Sequence, residues 1–306
     1  MDIKKDLEYF VTLWEEHRPE NRSEGVKHTP ELWNSRADDW AELLRGDTSF
    51  KASLGERVSK VAAYLRNRGL LGKGSRVVDI GCGPGRFVAE FAKTADHVLG
   101  VDMSDKMLAY GADYARSMGL ENTSYYACDF KEVDIEKLGW TDSFDLVFTS
   151  ITPAVGDIKS LKKAMKMSRA YCFSSSFLRN RDDLKDQIAK DVFSAPVDKP
   201  LWDERWFYSL FNLLFLEGYF PETFYHKQNI LENAKVNNEL IRYFTRLFSK
   251  DFDANDEGVR NKIRDYLHSK AKKDGTIERY TEHWYGWTLW DVRDKCNRIT
   301  EDVQYE

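Results

Sequence analysis

The segment Val77-Val78-Asp79-Ile80-Gly81-Cys82-Gly83-Pro84-Gly85-Arg86-Phe87 holds the residues best suited to chemistry. An apolar run feeds a glycine loop, and the loop opens a helical stretch. Glycine has no Cβ and tolerates positive φ, so such a loop lets the backbone approach a ligand closely. The dinucleotide fingerprint requires Gly or Ala three positions after the second glycine of a G-x-G pair. Counted from Gly81 that position is Arg86, and counted from Gly83 it is Val88, so the fingerprint is not met. Asp79 stands just ahead of the loop. A carboxylate there repels a pyrophosphate and attracts an ammonium group. The loop therefore suits a cationic ligand that carries no phosphate.

More acids follow in order. Asp102 ends a second apolar run, His97–Val101, and Cys128-Asp129-Phe130 follows a third, Thr123–Ala127. Ser150 follows a fourth, Phe144–Thr149, and opens the segment SITPAV. S-adenosylmethionine has an ammonium, a sulfonium and no phosphate, and it fits this set better than NAD or ATP. On these residues, above all Asp79, Gly81, Gly83 and Gly85 (DIGCGPG) with Asp102, the sequence resembles the class I S-adenosylmethionine-dependent methyltransferases of small-molecule type. The resemblance covers residues 54–177.

The resemblance implies S-adenosyl-L-methionine as cofactor and S-adenosyl-L-homocysteine as product. It implies cofactor contacts from the loop (Asp79, Gly81, Cys82, Gly83, Gly85), from Asp102 to the ribose hydroxyls and from Met103 to the adenine. Asp129 would accept from the adenine amino group, with Phe130 packed nearby, and Ser150 would lie near donor and acceptor. A helix before the core often folds over the cofactor in this family. Trp33 and Arg36 are the residues expected to do so, Arg36 pairing with the methionine carboxylate. Without the resemblance, Asp102 reads as a first-turn helix acid, Asp129 as a turn residue and Met103 as a core filler. Cys82 and Cys128 read as small apolar packers.

A sulfonium is already a strong electrophile, so orientation of the acceptor supplies much of the rate. A base is needed only where the acceptor must lose a proton. No catalytic residue is legible; His28, His226 and His283 are weak candidates, each more simply structural. No metal-ligand constellation stands out, and Asp182–Asp183 reads as a solvated charge cluster at a helix start.

The elements that must position these groups are α/β in pattern. Leu7, Phe10, Val11 and Trp14 recur at helical spacing. Pro30–Leu44, with Leu32, Trp33, Trp40, Leu43 and Leu44, and Leu54–Asn67 read as two further helices. From residue 75 strands alternate with helices, through a fifth strand at Ala170–Ser174. Such alternation means a doubly wound parallel sheet, and the resemblance raises this to a mostly parallel seven-stranded Rossmann-like sheet. Residues 182–220 read as helical, with Trp202, Trp206, Phe207, Phe211 and Phe215, and 231–273 as two amphipathic helices. Thr223–His226 and Tyr280–Val292 have strand character, and 284–290 (WYGWTLW) alternates as a last strand with one face in the core. The expected division is a helical cap over 1–53, a cofactor-binding core over 54–180, and lid helices with the last two strands over 181–306.

The chain has 306 residues and a formal charge of −5, from 46 Lys+Arg and 51 Asp+Glu. This balance argues against a nucleic-acid or membrane partner. The first seventeen residues scatter charge through any apolar run, which is unlike a signal peptide. Four distant cysteines, Cys82, Cys128, Cys172 and Cys296, suit a reducing compartment, so a cytoplasmic protein is expected. With 9 Trp, 15 Tyr and 18 Phe, many in the additions around the core, an aromatic or cationic small-molecule acceptor is the expectation. The alternatives are a non-catalytic binder of S-adenosylmethionine or S-adenosylhomocysteine, and a methyltransferase acting on protein or nucleic acid.

Overall fold

The computed structural model describes residues 3–16, 28–45, 49–196, 204–249, 253 and 255–296. Trp202 and the side chain of Leu43 lie outside the described residues. In chain order the elements are helices α1 (Ile3–Glu16), α2 (Pro30–Arg45) and α3 (Ser49–Asn67), then β1 (Arg76–Ile80), α4 (Arg86–Ala92), β2 (His97–Asp102) and α5 (Asp105–Ser117). After these come β3 (Thr123–Ala127), β4 (Phe144–Ser150), α6 (Ile158–Met167), β5 (Ser168–Asp182), α7 (Asp183–Phe193) and α8 (Arg205–Leu216). The chain closes with β6 (Glu222–Lys235), α9 (Asn238–Phe248), α10 (Glu257–Lys270) and β7 (Thr276–Asp291).

The strands form one seven-stranded sheet in the order β3-β2-β1-β4-β5-β7-β6. β1 to β5 pair in parallel, with Asp79 opposite Gly100 and Phe148, and Ser150 opposite Ser175. Val77, Val78 and Ile80 are fully buried, because helices cover both faces of a parallel sheet. The strand order reverses between β1 and β4, and crevices at such reversals hold ligands beyond the carboxyl ends of the strands.

The chain divides into two compact units. The first comprises Met1–Ser176, Glu204–Tyr225 and Gly286–Glu306, and the second Phe177–Asp203 and His226–Tyr285. On one face of the sheet in the first unit, Val78, Ile80, Val101 and Val147 pack with Leu7 and Trp14 of α1, Leu161 of α6 and Leu210 of α8. On the other face, Phe87 and Phe91 of α4 pack on Phe148 at 4.8 and 4.9 Å between ring centroids, and Phe148 stacks on Phe173 at 5.1 Å. A cavity of about 20 Å³ is lined by Trp14, Trp206 and Trp290, among others, and the Nε1 atoms of Trp14 and Trp290 are buried without a hydrogen-bond partner.

The second unit has its own core of Leu184, Ile188, Leu240, Ile241, Phe244, Ile263, Leu267 and Ile277. Asp182 departs from its reading as solvated surface. It is 4 % exposed, caps α7 at Lys185 N–H and pairs with Arg279 at 2.6 Å. Asp183 accepts a hydrogen bond from Tyr280 N–H at 2.8 Å. Two strand readings also change. β6 runs on to Lys235, through residues expected to be helical, with exposure alternating residue by residue. In β7 every residue from Tyr285 to Trp290 is buried, so both faces are covered. Its place between β5 and β6, inside the sheet, accounts for this. Among the described residues no helix is long and apolar enough to cross a membrane.

Candidate cofactor site

The glycine loop joins β1 to α4 by three left-handed glycines, Gly81 (φ 72°), Gly83 (φ 51°) and Gly85 (φ 66°). Two of them also lack room for a side chain. A Cβ on Gly81 would collide with Oγ1 of Thr152, and one on Gly85 would lie 2.9 Å from Gly111 Cα. Gly81 and Cys82 donate their backbone N–H groups to Val101 O at 2.7 and 3.0 Å, fastening the loop to β2. Gly85 is the cap residue of α4 and offers no side-chain bond, so the first turn of that helix keeps its N–H groups toward the loop.

Asp102 organises the next turn. Its Oδ2 accepts from Gly83 N–H and its Oδ1 from Ser104 N–H, both at 2.9 Å. Burial raises its pKa, and the backbone N–H groups of Ser104, Gly83 and Met103 oppose that shift. Ser104 caps α5 by accepting from Met107 N–H at 3.1 Å and donates to Asn34 Oδ1 at 2.6 Å. Asp38 of α2 binds Lys106 Nζ at 2.6 Å and the Tyr110 hydroxyl at 2.7 Å. These bonds seat α2 on the start of α5, beside Asp102 and the half-buried Met103. On α2, Trp33 stacks with His28 at 5.6 Å, and the Arg36 guanidinium lies 5.1 Å from the Trp33 ring centre.

Asp79 is the anomaly. It is 2 % exposed, and its Oδ2 has no hydrogen-bond partner among the described residues. Burial pushes its pKa well above the usual carboxylate range, the charge of Asp102 adds to the rise, and Arg57 of α3 opposes it. An unpartnered buried carboxylate is costly, and native structures keep few of them without a ligand or function. Burial, Asp79 and Asp102 likewise raise the Cys82 thiol well above its ordinary pKa, so it stays protonated and packs.

Asp129 accepts from Lys131 N–H at 2.9 Å, which closes the turn after β3. Phe130 is 2 % exposed and belongs to the main core. Lys163 of α6 donates to the carbonyls of Phe130, Lys131 and Val133 at 3.0, 2.8 and 2.9 Å and so pins this turn. Ser150 ends β4, and its Oγ is buried without a partner. Ile151 follows with φ 51°, a rare conformation for a β-branched residue, and donates its N–H to Ser175 O at 2.9 Å.

Asp79, Gly81, Cys82, Gly83, Gly85, Asp102, Met103, Asp129, Phe130 and Ser150 thus all lie at or just beyond the carboxyl ends of β1 to β4, within the first unit. His226 and His283 belong to the second unit, where both rings lie against Tyr285 at 6.0 and 6.2 Å. The reading of motifs missed Arg57, Thr152, Lys163 and Ser175. Thr152 lies within the segment SITPAV that the sequence singles out after the fourth strand, and Ser175 sits in the polar run Ser174–Ser176; Arg57 and Lys163 carry no such mark. Among the described residues no group of three or more His, Cys, Asp or Glu could hold a metal ion.

Residues 71–199 match the family model of a methyltransferase domain. By that match, residues 71–199 are a methyltransferase domain. The residues of the site fit S-adenosylmethionine as the methyl donor. The glycine cradle has no room for side chains at Gly81 and Gly85, and Asp79 has a free oxygen for an ammonium. Curated methyltransferases similar to the chain include the 23S rRNA (uracil(1939)-C(5))-methyltransferase RlmD of Shewanella amazonensis. That relative is 36 % identical over 98 residues, covering 32 % of this chain and 21 % of its own. The ubiquinone biosynthesis O-methyltransferase of Acinetobacter baumannii is 35 % identical over 77 residues, covering 25 % of this chain and 32 % of its own. This chain therefore spans about a fifth to a third of the length of these methyltransferase relatives. A solved magnesium protoporphyrin IX methyltransferase from Synechocystis PCC 6803 aligns at 16 % identity over 83 % of this chain and 97 % of its own, with a TM-score of 0.48.

Proposed function

We propose that the protein transfers the methyl group of S-adenosylmethionine to a small-molecule acceptor. The observation that carries the reading is Asp79, a buried carboxylate with an unpartnered oxygen beside a glycine cradle. When bound, the cofactor supplies an electrophilic methyl group on a sulfonium. The chain's own residues do the holding. Asp79 takes the ammonium, and Arg57 beside it supplies the opposite charge that an amino-acid carboxylate needs. Asp102 has lone pairs left after its two backbone bonds and accepts the ribose hydroxyls. Met103 and Asp129 flank the base, and Trp33 with Arg36 on α2 closes over it. The loop's shape and these charges orient the cofactor, which is the larger part of catalysis for such a leaving group.

A small acceptor is favoured by the charge of −5, which gives no general attraction to phosphate backbones. The test is methyl transfer from labelled S-adenosylmethionine to pooled small metabolites, to ribosomal RNA and to total protein. Label in the metabolite pool is expected. Label in RNA or protein alone would overturn the choice of acceptor, and tight cofactor binding with no product in any pool would favour a binding module.

A further inference from the structure

Helix α8 is apolar on both of its sides. Leu210, Leu213 and Leu214 on one side enter the main core of the first unit. The other side carries Tyr208, Phe211 and Phe215, spaced three and four apart and so aligned in one stripe. Tyr208 is 52 % exposed and Phe215 38 %, and half-buried Phe211 stacks on Phe215 at 6.1 Å, 7° from parallel. Asn212, the one polar side chain on this side, donates to the Tyr208 carbonyl at 2.7 Å and so lies against its own helix. A helix on the surface of a lone molecule carries polar residues outward, and one that is apolar all round is covered.

Helix α1 widens the stripe into a patch. Its Phe10 ring meets Tyr208 edge-on at 5.5 Å, and Tyr9, 59 % exposed, meets Phe10 at 5.1 Å. Trp14 lies against Trp206 at 6.4 Å, so α1 and α8 run in opposite directions. Along α1, Lys5, Tyr9 and Glu16 follow at spacings of four and seven, which puts them on one side of the helix. Lys5 and Glu16 are both exposed. The patch thus has an aromatic middle, a cation at one end and an anion at the other. At 1.5 Å per residue and about 10 Å per helix, the two helices present a face about 20 Å long and about 20 Å wide. About 400 Å² is the size of apolar patch that marks a contact surface, and it lies below the roughly 800 Å² per partner of a standard stable interface. A lipid surface attracts a patch rimmed by cations. One cation and one anion at opposite ends instead match a copy of the same patch turned end for end. A two-fold axis lying across the helices does this: it sets Lys5 over Glu16 of the second copy and Tyr208 over its Phe215, and each contact occurs twice.

We propose that the α1–α8 face binds a second copy of this chain, forming a dissociating homodimer through an antiparallel four-helix contact. The inference stands apart from the methyltransferase reading. The test is sedimentation velocity of the full chain from about 1 to about 100 μM, where an interface of this modest size dissociates. Wild type is expected to pass from monomer to dimer over that range. Tyr208→Glu should weaken the dimer at least tenfold with an unchanged circular dichroism spectrum. Lys5→Glu and Glu16→Lys should each weaken it at least threefold, and K5E/E16K, which restores the pairs in the opposite sense, should return to within twofold of wild type. Leu231→Glu, at a residue of β6 that is 70 % exposed and outside the patch, should leave the dimer unchanged. A wild type that stays monomeric throughout would overturn the proposal, and its co-flotation with phosphatidylglycerol vesicles would then assign the patch to a lipid surface. A dimer that Tyr208→Glu leaves intact, or a charge exchange that does no better than its single variants, would overturn it as well.

Discussion

Replacing Asp79 with Asn is the most informative single change, because its two effects should have opposite signs. The carboxylate is 98 % buried, since its exposure is 2 %, and one oxygen lacks a hydrogen bond. Removing one partner of a buried, hydrogen-bonded charge pair costs about 2–5 kcal/mol. At about 1.4 kcal/mol per tenfold, even the lower bound weakens cofactor binding about 30-fold. The unliganded fold should not share this loss. Asp79 there is a buried acid beside Asp102, with its pKa raised by burial and by that neighbour and only partly offset by Arg57. An amide of the same shape removes the charge and should leave unfolding stability within about 1 kcal/mol of wild type, or raise it. Calorimetry with S-adenosylhomocysteine and denaturant unfolding of the unliganded protein measure the two terms. Binding within threefold of wild type would refute the ammonium assignment. A loss of several kcal/mol in the unliganded fold would make Asp79 a structural residue.

The same raised pKa gives a pH dependence. A folded-state acid with a raised pKa favours the unliganded fold at low pH, and this contribution declines as pH rises from the unfolded toward the folded value. Cofactor affinity should move the other way, rising as pH passes through the Asp79 pKa, with Asp102 and Arg57 as the neighbouring charges and the neutral Cys82 thiol beside them; a flat affinity profile in wild type, or the same slope in D79N, would contradict this. Gly81→Ala forces a side chain into left-handed backbone, at about 1–2 kcal/mol, and into Thr152. It should abolish detectable binding, and Thr152→Ala should restore only part of it, because Thr152 Cβ still stands 2.6 Å from the new atom. Lys163→Met keeps the stem and removes the ammonium that pins three carbonyls beside Asp129. It should cut S-adenosylhomocysteine affinity about tenfold and reduce the preference for that ligand over its deaminated inosyl analogue; an unchanged preference would deny Lys163 a part in positioning Asp129.

What the sequence disclosed is what local chemistry dictates. Three glycines in five positions must serve a backbone that other residues cannot adopt, and all three have positive φ. Ser104 before an acid marks a helix start, and it caps α5 as its type requires. The apolar runs ending at Ile80, Val101 and Thr149 mark strands buried on both faces. Features that depend on distant neighbours were silent. Asp182 looks like any surface acid until Arg279, 97 residues away, closes on it. The alternation in WYGWTLW suggests one buried face, and only the insertion of β7 between β5 and β6 buries the other. Nothing about an isoleucine announces the φ of Ile151, and Ser175 matters only once the register sets it opposite Ser150 and its carbonyl accepts from Ile151 N–H. The histidines drew notice by their type alone, and the fold assigns His226 and His283 to a different unit from the glycine loop.

The most direct test of the account is a crystal structure of the protein with S-adenosylhomocysteine. The ligand's amino nitrogen is expected at hydrogen-bond distance, about 3 Å, from Asp79 Oδ2, with the ribose hydroxyls on Asp102. A ligand bound elsewhere, or bound in the loop with Asp79 Oδ2 satisfied by protein or water alone, would contradict it.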